Sequence, residues 1–538
     1  MSVIQSTGRQ GNLPGVGVQL RKDAPRPLED PVGLLPVPPD DWEKYSYVKR
    51  HVWVRAGSSL VAFVCLVLSQ LGAVHSSPAL WVFAPLLLLS ALGYLISLRL
   101  EVFSPGFDVK GHRRLVRRWR PVSYPSVDVF LPVCGEPLEV LHNTWTYVGR
   151  LAEHYPGKVV PYVLDDSDSA SISTMADDFG FRYLVRPNRG WFKKAGNLRY
   201  GFANSRGDFI LILDADFAPR SDLLDELLPH MDQDPKLGIV QSPQFFRVLD
   251  QQNWIERGAA AVQELFYRAV QASRQAVEGS ICVGTCAVYR RAALDDIGGT
   301  ALIEHSEDVH TGFDLRSRGW GLRYVPIALS TGVCPDTIGA FQNQQYRWCM
   351  GSMSLLGSKK FWATKMRPAT RMCYFSGFIY YIETALLTLV TPLIPLTLML
   401  AVPDTLRVEG MWLVLPSLVY VAVIFPIWHR NPYRLEAWST RVMYGWAHLF
   451  AIWDIIRGRP MGWQPIGASA TKKNKTRRFW IGMWGWSGVT AALWVAVAIW
   501  RMATVNPEDF ALLLASGLFY AITVARILIQ PRTDEPAS

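Results

Sequence analysis

Four acidic or aromatic motifs punctuate the middle of this 538-residue chain: Asp165-Asp166, Asp214-Ala215-Asp216, Ser306-Glu307-Asp308 and Gln344-Gln345-Tyr346-Arg347-Trp348. Asp214 and Asp216 follow the apolar run 209–213, and one spacer residue lets both carboxylates approach a single ligand sphere. Such an oxygen pair suits a hard cation, Mg²⁺ or Mn²⁺, bridging to a diphosphate. The same residues can instead cap a helix introduced by Pro219 and Ser221. Asp165-Asp166-Ser167 ends another apolar run, where it can hold a base and ribose by charge-assisted hydrogen bonds or close an Asx turn. Lys194, in Lys194-Ala195-Gly196-Asn197, can neutralise a diphosphate that Gly196 allows close to the backbone, or remain a solvated surface lysine. Asp308 can take the proton of a sugar hydroxyl attacking an anomeric carbon, or cap the helical stretch 309–318. His305 and His310 read as structural or solvated rather than as metal ligands. Arg347 can grip a phosphate and Trp348 can stack on a sugar ring, or the two can anchor a membrane interface.

The elements that must position these groups alternate in texture. From about 100 to 345, short apolar strands (127–132, 159–164, 181–185, 209–213 and 237–241) alternate with polar helical stretches. This predicts an α/β domain with a largely parallel sheet, in which ligands bind at the carboxyl ends of the strands. Apolar runs of membrane-spanning length flank it: 56–74 and 79–98 before, and 374–402, 411–428, 479–500 and 510–529 after. Basic residues around the first pair place both its ends, and so the α/β domain, in the cytoplasm. Glu383 lies inside the third run and must face headgroups or a polar channel. Between spans, Leu435, Trp438, Val442, Trp446, Leu449, Trp453 and Ile456 recur at helical spacing. They predict an amphipathic helix that lies on the membrane face or packs on the α/β domain.

The resulting map is a cytoplasmic N-terminal segment at 1–50, loosely ordered, and a transmembrane hairpin at 51–99. The α/β domain spans 100–345 and an interfacial segment 346–373. A transmembrane pair at 374–428 precedes the amphipathic helix and a loop at 429–476, then a second pair at 477–530 and a cytoplasmic tail at 531–538. About six spans make this a polytopic membrane protein.

Composition supports that class and excludes others. Half the chain is hydrophobic, Trp numbers 21 and the net charge is +10, much of it beside apolar runs where positive-inside topology and anionic lipid account for it. No basic element carries a nucleic-acid fold signature, so no nucleic-acid partner is expected. The seven cysteines form no Cys-x-x-Cys pair, which argues against zinc and for a reducing compartment. No signal peptide is expected. A haloacid-dehalogenase site would want Thr or Val where Ala218 stands.

Taken in order, the motifs resemble those of the processive family 2 glycosyltransferases, the cellulose, chitin and hyaluronan synthases, over roughly residues 50–530. Leu131-Pro132-Val133-Cys134-Gly135-Glu136-Pro137 matches the family's first nucleotide-loop motif. Arg186-Pro187-Asn188 and Val240-Gln241-Ser242-Pro243-Gln244-Phe245-Phe246 look closest to bacterial cellulose synthase catalytic subunits. The resemblance implies a GT-A nucleotide-sugar-binding domain between transmembrane helices, a UDP-sugar donor, Mg²⁺ or Mn²⁺, and inversion at the anomeric carbon. It implies that Glu136, Asp165 and Asp166 contact the nucleotide, Lys194 the diphosphate, and Asp214 and Asp216 the metal and phosphates. Asp308 becomes the general base, with Glu307 beside it in the catalytic motif. Gln344, Arg347 and Trp348 hold the acceptor end of the polymer and the diphosphate. The implied function is polymerisation of UDP-glucose into a β-glucan, exported through the protein's own channel in the plasma (inner) membrane, with accessory export subunits as possible partners. A single-addition transferase acting on a lipid carrier, a hyaluronan- or chitin-type synthase using UDP-N-acetylglucosamine, and a non-catalytic transporter or scaffold stay open. Three features depart from the family: Ser306 replaces Thr, Cys282-Val283-Gly284-Thr285 replaces Phe-Cys-Gly-Ser, and the gating loop has only a loose counterpart at 468–472. With nothing long enough after 529 for a PilZ domain, regulation by cyclic-di-GMP within the chain is not expected.

Overall fold

The computed structural model describes residues 35–48, 52–104, 106–406, 408, 412–458 and 472–529. At its centre lies a seven-stranded sheet in the order β3-β2-β1-β4-β8-β6-β9. Its strands are β1 (Val127–Val133), β2 (Val159–Asp165), β3 (Arg182–Leu184), β4 (Phe209–Ile212), β6 (Leu237–Gln241), β8 (Ala287–Arg290) and β9 (Gly321–Tyr324). Six run parallel; β8 is antiparallel to both its neighbours. A second sheet joins β5 (Ala218–Pro219), β10 (Ser330–Gly332) and β7 (Phe245–Phe246).

The apolar runs are strands buried on both faces, which is why they lack polar alternation. Val127, Val129, Leu131 and Val133 of β1 enter one core with Val163 and Leu211. Phe130 of the same strand enters the opposite core with Tyr162, Leu164, Ile210 and Ile212. The five expected strands form within a residue or two of the expected limits. Strands β8 and β9 were not expected, because Ala287-Val288-Tyr289-Arg290 and Gly321-Leu322-Arg323-Tyr324 are too short and mixed to stand out.

Among the described residues, five helices are long and apolar enough to cross a membrane: Trp53–His75, Pro78–Val102, Pro368–Val390, Arg477–Thr504 and Pro507–Leu528. The sixth expected span is represented among the described residues by a shorter apolar helix, Leu415–Trp428. The expected long run 374–402 begins earlier, at Pro368, and divides at Thr391-Pro392 into a second helix, Leu393–Ala401. One helix, Ile338–Leu356, runs straight through the boundary drawn at 345/346.

Two other expectations change. Residues 35–48 of the N-terminal segment are docked. Tyr47 is 1% exposed, Lys44 pairs with Asp222 (2.7 Å) and Glu226 (2.5 Å), and Glu43 pairs with both Arg247 (2.6 Å) and Arg430 (3.2 Å). The amphipathic helix Leu435–Ile456 forms, but its buried face is the one carrying Ser439, Thr440, Ala447, His448 and Asp454. Of the apolar stripe only Trp446 is buried, while Trp453 and Ile456 are exposed. Small residues allow that inversion: Gly445 abuts Thr388 and Thr384 of the Pro368–Val390 helix, and Thr440 packs against Gly258. The loop counterpart at 468–472 lies outside the described residues apart from Lys472, which opens the helix Lys472–Gly482.

Candidate active site

The carboxyl ends of β1, β2 and β4 converge on one side of the sheet, as parallel topology dictates. Past β1, Gly135 turns the chain with φ +88°, and Glu136 accepts a hydrogen bond from the Cys134 backbone N–H at 2.7 Å. Burial raises the Glu136 carboxyl above its ordinary range, and the charges of Asp214 and Asp165 push it the same way. At the end of β2, Asp165 is buried and accepts from the Ser167 N–H (2.7 Å), the Ser167 hydroxyl (2.6 Å), the Ser169 N–H (3.0 Å) and the Tyr183 hydroxyl (2.8 Å). It therefore closes an Asx-type turn and shapes the loop.

Asp166 is engaged on both oxygens by the buried Arg186 guanidinium, each contact at 2.6 Å. Arg186 also donates to the backbone carbonyls of Trp191 (2.5 Å) and Lys193 (3.0 Å). Those bonds hold Phe192 and Lys193 at φ +47° and +49°, in the left-handed region that non-glycine residues avoid. Such strain persists only where its surroundings impose it, and here it delivers Lys194 at the start of the helix Lys193–Ala203. Expected as a nucleotide contact, Asp166 is seen to position this turn through Arg186.

Lys194 is not a solvated surface lysine. Its Nζ lies 2.5 Å from Asp214 and 3.7 Å from Glu307, joining the metal-type carboxylate to the base motif. Burial alone would lower its pKa, but Asp214 and Glu307 outweigh it and raise it. Asp214 is fixed by its own backbone N–H, which donates to the buried Thr285 hydroxyl at 2.9 Å. Burial, reinforced by Asp214, pushes the half-buried Asp216 up to about 7.

Ser306 enters the helix Glu307–Ser317 at φ +55° and makes no side-chain cap, so the motif is not a helix cap. The Asp308 carboxylate accepts from the Val309 N–H at 2.8 Å and lies against Gly284, where a Cβ would fall 2.8 Å from its Oδ2. Burial, and then the Glu307 charge, raises Asp308 to about 7. Across from it the helix Ile338–Leu356 presents Arg347, whose charge faces Glu307, Asp214 and Asp308. Gln344, half-buried with no partner for Oε1 among the described residues, and the half-buried Trp348 lie on that helix. Gly351 permits its close approach to Ser306, and His310 bonds to the Gly351 carbonyl (3.2 Å) and Ser354 (3.0 Å), a structural role.

The structure thus gathers Glu136, Lys194, Asp214, Asp216, Glu307, Asp308 and Arg347 around one centre. It adds Gly284 and Thr285, which sequence patterning did not single out for their contacts with the carboxylates. The 400 Å³ cavity bordered by Arg199, Thr300, Asp314 and Lys360 lies elsewhere and contains none of these carboxylates. No group of three His, Cys, Asp or Glu side chains among the described residues could hold a metal alone. The all-oxygen pair Asp214/Asp216 fits a hard cation that takes its remaining ligands from a diphosphate.

Residues 209–427 match the family described as Glycosyl transferase family group 2. Cellulose synthase 1 catalytic subunit [UDP-forming] of Komagataeibacter xylinus is 31% identical over 262 residues, 48% of this chain and 35% of that protein. The corresponding UDP-forming subunit of Xanthomonas axonopodis pv. citri (strain 306) is 28% identical over 262 residues, 48% of this chain and 36% of that protein. The matched region spans about a third of either relative. Among solved structures, the mannosyltransferase PcManGT from Pyrobaculum calidifontis, in complex with GDP-Man and Mn²⁺, aligns over 68% of this chain and 99% of its own, with 13% identity and a TM-score of 0.44. Residues 209–427 thus carry the glycosyl transferase family 2 match within an α/β domain flanked by apolar helices, and over about half its length the chain is similar to bacterial cellulose synthase catalytic subunits.

Proposed function

We propose that this protein is a processive, inverting glycosyltransferase of the inner membrane that polymerises UDP-glucose into a β-glucan and passes the polymer out between its own helices. The observation that carries the reading is Asp308. It is a carboxylate raised to about 7, packed on Gly284 and within electrostatic reach of the Lys194–Asp214 pair. A base near neutrality can accept a hydroxyl proton and still be ionised at working pH. In this reading Asp308 takes the proton of the acceptor hydroxyl while its oxygen bonds to the anomeric carbon from the face opposite the leaving group. The bond from that carbon to the diphosphate oxygen breaks, and the nucleoside diphosphate leaves with the electron pair.

Lys194 and Arg347 supply positive charge to the leaving diphosphate, and Glu307 keeps Lys194 aimed between donor and base. Asp214 and Asp216 would hold Mg²⁺ or Mn²⁺, which when bound neutralises diphosphate charge. Glu136 and the loops built by Asp165 and Asp166 receive the nucleotide. Gln344 and Trp348 hold the acceptor end. The catalytic domain is cytoplasmic in this arrangement, and accessory export subunits can receive the polymer.

The test is turnover by purified protein in nanodiscs with Mg²⁺ or Mn²⁺ and, separately, labelled UDP-glucose, UDP-N-acetylglucosamine and GDP-mannose, beside Asp308→Asn. High-mass product from UDP-glucose, absent in the variant, supports the proposal. High-mass product from UDP-N-acetylglucosamine redirects it to a chitin- or hyaluronan-type synthase. Lipid-linked product alone replaces it with single addition, and nucleotide release indifferent to Asp308→Asn overturns it.

A further inference from the structure

The segment Ile281–Thr285 touches both halves of the site. Gly284 receives the Asp308 carboxylate, and Thr285 holds the backbone of Asp214. Yet it belongs to neither a helix nor a strand, and Cys282 and Thr285 within it are buried. Buried irregular backbone must find hydrogen-bond partners or pay for their absence. Here the partners are glutamine side chains. Gln241, the last residue of β6, donates its amide to the Ile281 carbonyl at 2.6 Å and accepts from the Val283 N–H at 3.1 Å. Gln271 donates to the same Ile281 carbonyl at 2.7 Å and accepts from the Ile281 N–H at 3.1 Å. Gln244 donates to the Val283 carbonyl at 3.1 Å.

Gln241 and Gln271 are both 0% exposed, so water cannot substitute for either. Each carboxamide uses its donor and acceptor ends on the segment, which fixes its orientation. Gln271 closes a π-helical turn, Phe266–Gln271, a local irregularity in the helix leading to the segment. The two residues anchor the segment from different elements, one from the central sheet and one from the helix.

We propose that Gln241 and Gln271 are positioning residues that hold Ile281–Thr285 rigid, and thereby set the separation between Asp308 and Asp214. The inference rests on the catalytic reading given above. It assigns the glutamines no contact with substrate. They act through Gly284 and Thr285, so their loss misplaces the base relative to the donor while leaving the nucleotide loops and Lys194 intact. Displacement of reacting groups by about an ångström can cost on the order of a hundredfold in rate.

The experiment uses the full chain in nanodiscs with whichever of UDP-glucose, UDP-N-acetylglucosamine or GDP-mannose the parent protein turns over. Gln241→Met, Gln271→Met and Gln244→Met are compared with Gln263→Met, a buried glutamine whose amide, among the described residues, hydrogen-bonds only to the Cys334 sulfur at 3.6 Å. The expected result is a kcat about ten- to a hundredfold lower for Gln241→Met and Gln271→Met. A smaller loss is expected for Gln244→Met and none for Gln263→Met. Donor KM and UDP affinity should stay within about twofold, because the groups that bind the nucleotide are untouched. The acid limb of kcat against pH should move below 7 in the two strong variants as Asp308 loses its packed neighbour.

Unchanged kcat in folded Gln241→Met and Gln271→Met overturns the inference. So does a parallel fall of kcat, UDP affinity and melting temperature. If one variant does not fold, the other two decide. A parent protein that turns over no donor overturns the catalytic reading and this inference together, whereas an active parent with indifferent glutamine variants overturns this inference alone.

Discussion

Glu264 and Asp308 are both carboxylates enclosed by protein, and they are treated in opposite ways. Glu264, where the catalytic domain meets the membrane helices, is 0% exposed and accepts from Arg268 (2.8 Å) and from the backbone N–H groups of Arg430 and Asn431 (2.7 Å each). Burial alone would raise its pKa, yet His429 and the backbone N–H groups of Arg430 and Asn431 hold it below the ordinary range. Asp308 receives one backbone N–H, has Glu307 beside it, and rises to about 7. Where this protein needs a strut, donors saturate the acid. At the site, acids accumulate and cations are few. Desolvation is common to both places, and the number of donors decides the sign of the shift.

The largest expected effect separates chemistry from stability. Asp308→Asn should reduce kcat about 10²- to 10⁴-fold, while the melting temperature without nucleotide holds or rises, since an uncompensated buried acid has been removed. Glu264→Gln should do the reverse. It removes the charge that faces the buried Arg268 guanidinium and destabilises the protein by about 3–5 kcal/mol, read by denaturant midpoint, with kcat per folded molecule retained. A stable Glu264→Gln protein would break the contrast.

Lys194→Met comes next. Removing the cation that pairs with Asp214 should weaken UDP binding in Mn²⁺ by about tenfold or more, on the order of a charge-assisted hydrogen bond, as calorimetry would show. The Asp308 carboxyl should rise further, moving the acid limb of the rate profile upward.

The pH prediction follows from Asp216 and Asp308, both raised from 3.8 to about 7. The folded protein holds these protons more tightly than the unfolded chain, so the contribution of these two groups to stability is full below the unfolded pKa and is lost as pH rises from about 4 through about 7. Activity runs the other way, increasing as Asp308 ionises. Mn²⁺ with UDP should raise the melting temperature more at pH 8 than at pH 5.5, because the carboxylates are then charged. Equal gains at both pH values would count against the Asp214/Asp216 cation site. The smallest effect is Glu43→Gln, which should cost about 1 kcal/mol in thermal stability and leave kcat unchanged.

Much of this was legible in the sequence because strand ends and apolar runs are local signals. Asp214 and Asp216 could be singled out because they follow an apolar strand, whereas Asp308 emerged from the order of the motifs and the resemblance they carry. The orientation of Leu435–Ile456 was not legible. Its apolar stripe suggests the packing face, but in a protein bordered by lipid the outward face is apolar too, and small and polar residues do the internal packing. Nor did the sequence separate Asp165 from Asp166, whose roles depend on Tyr183 and Arg186 arriving from β3 and the loop beyond it. The glutamines around Ile281 carry no periodicity, and only the fold makes them neighbours.

The docked strap at residues 35–48 has a consequence in time as well as space. Glu43 is made before both its partners: Arg247 follows it by 204 residues and Arg430 by 387. During synthesis, the strap cannot close on both until the sheet has formed and the chain has passed the Leu415–Trp428 helix. Contacts of such long sequence separation form late. Closure of this strap would therefore mark a molecule whose α/β domain and apolar helices have already met, a seal applied late by a segment made before everything it closes upon.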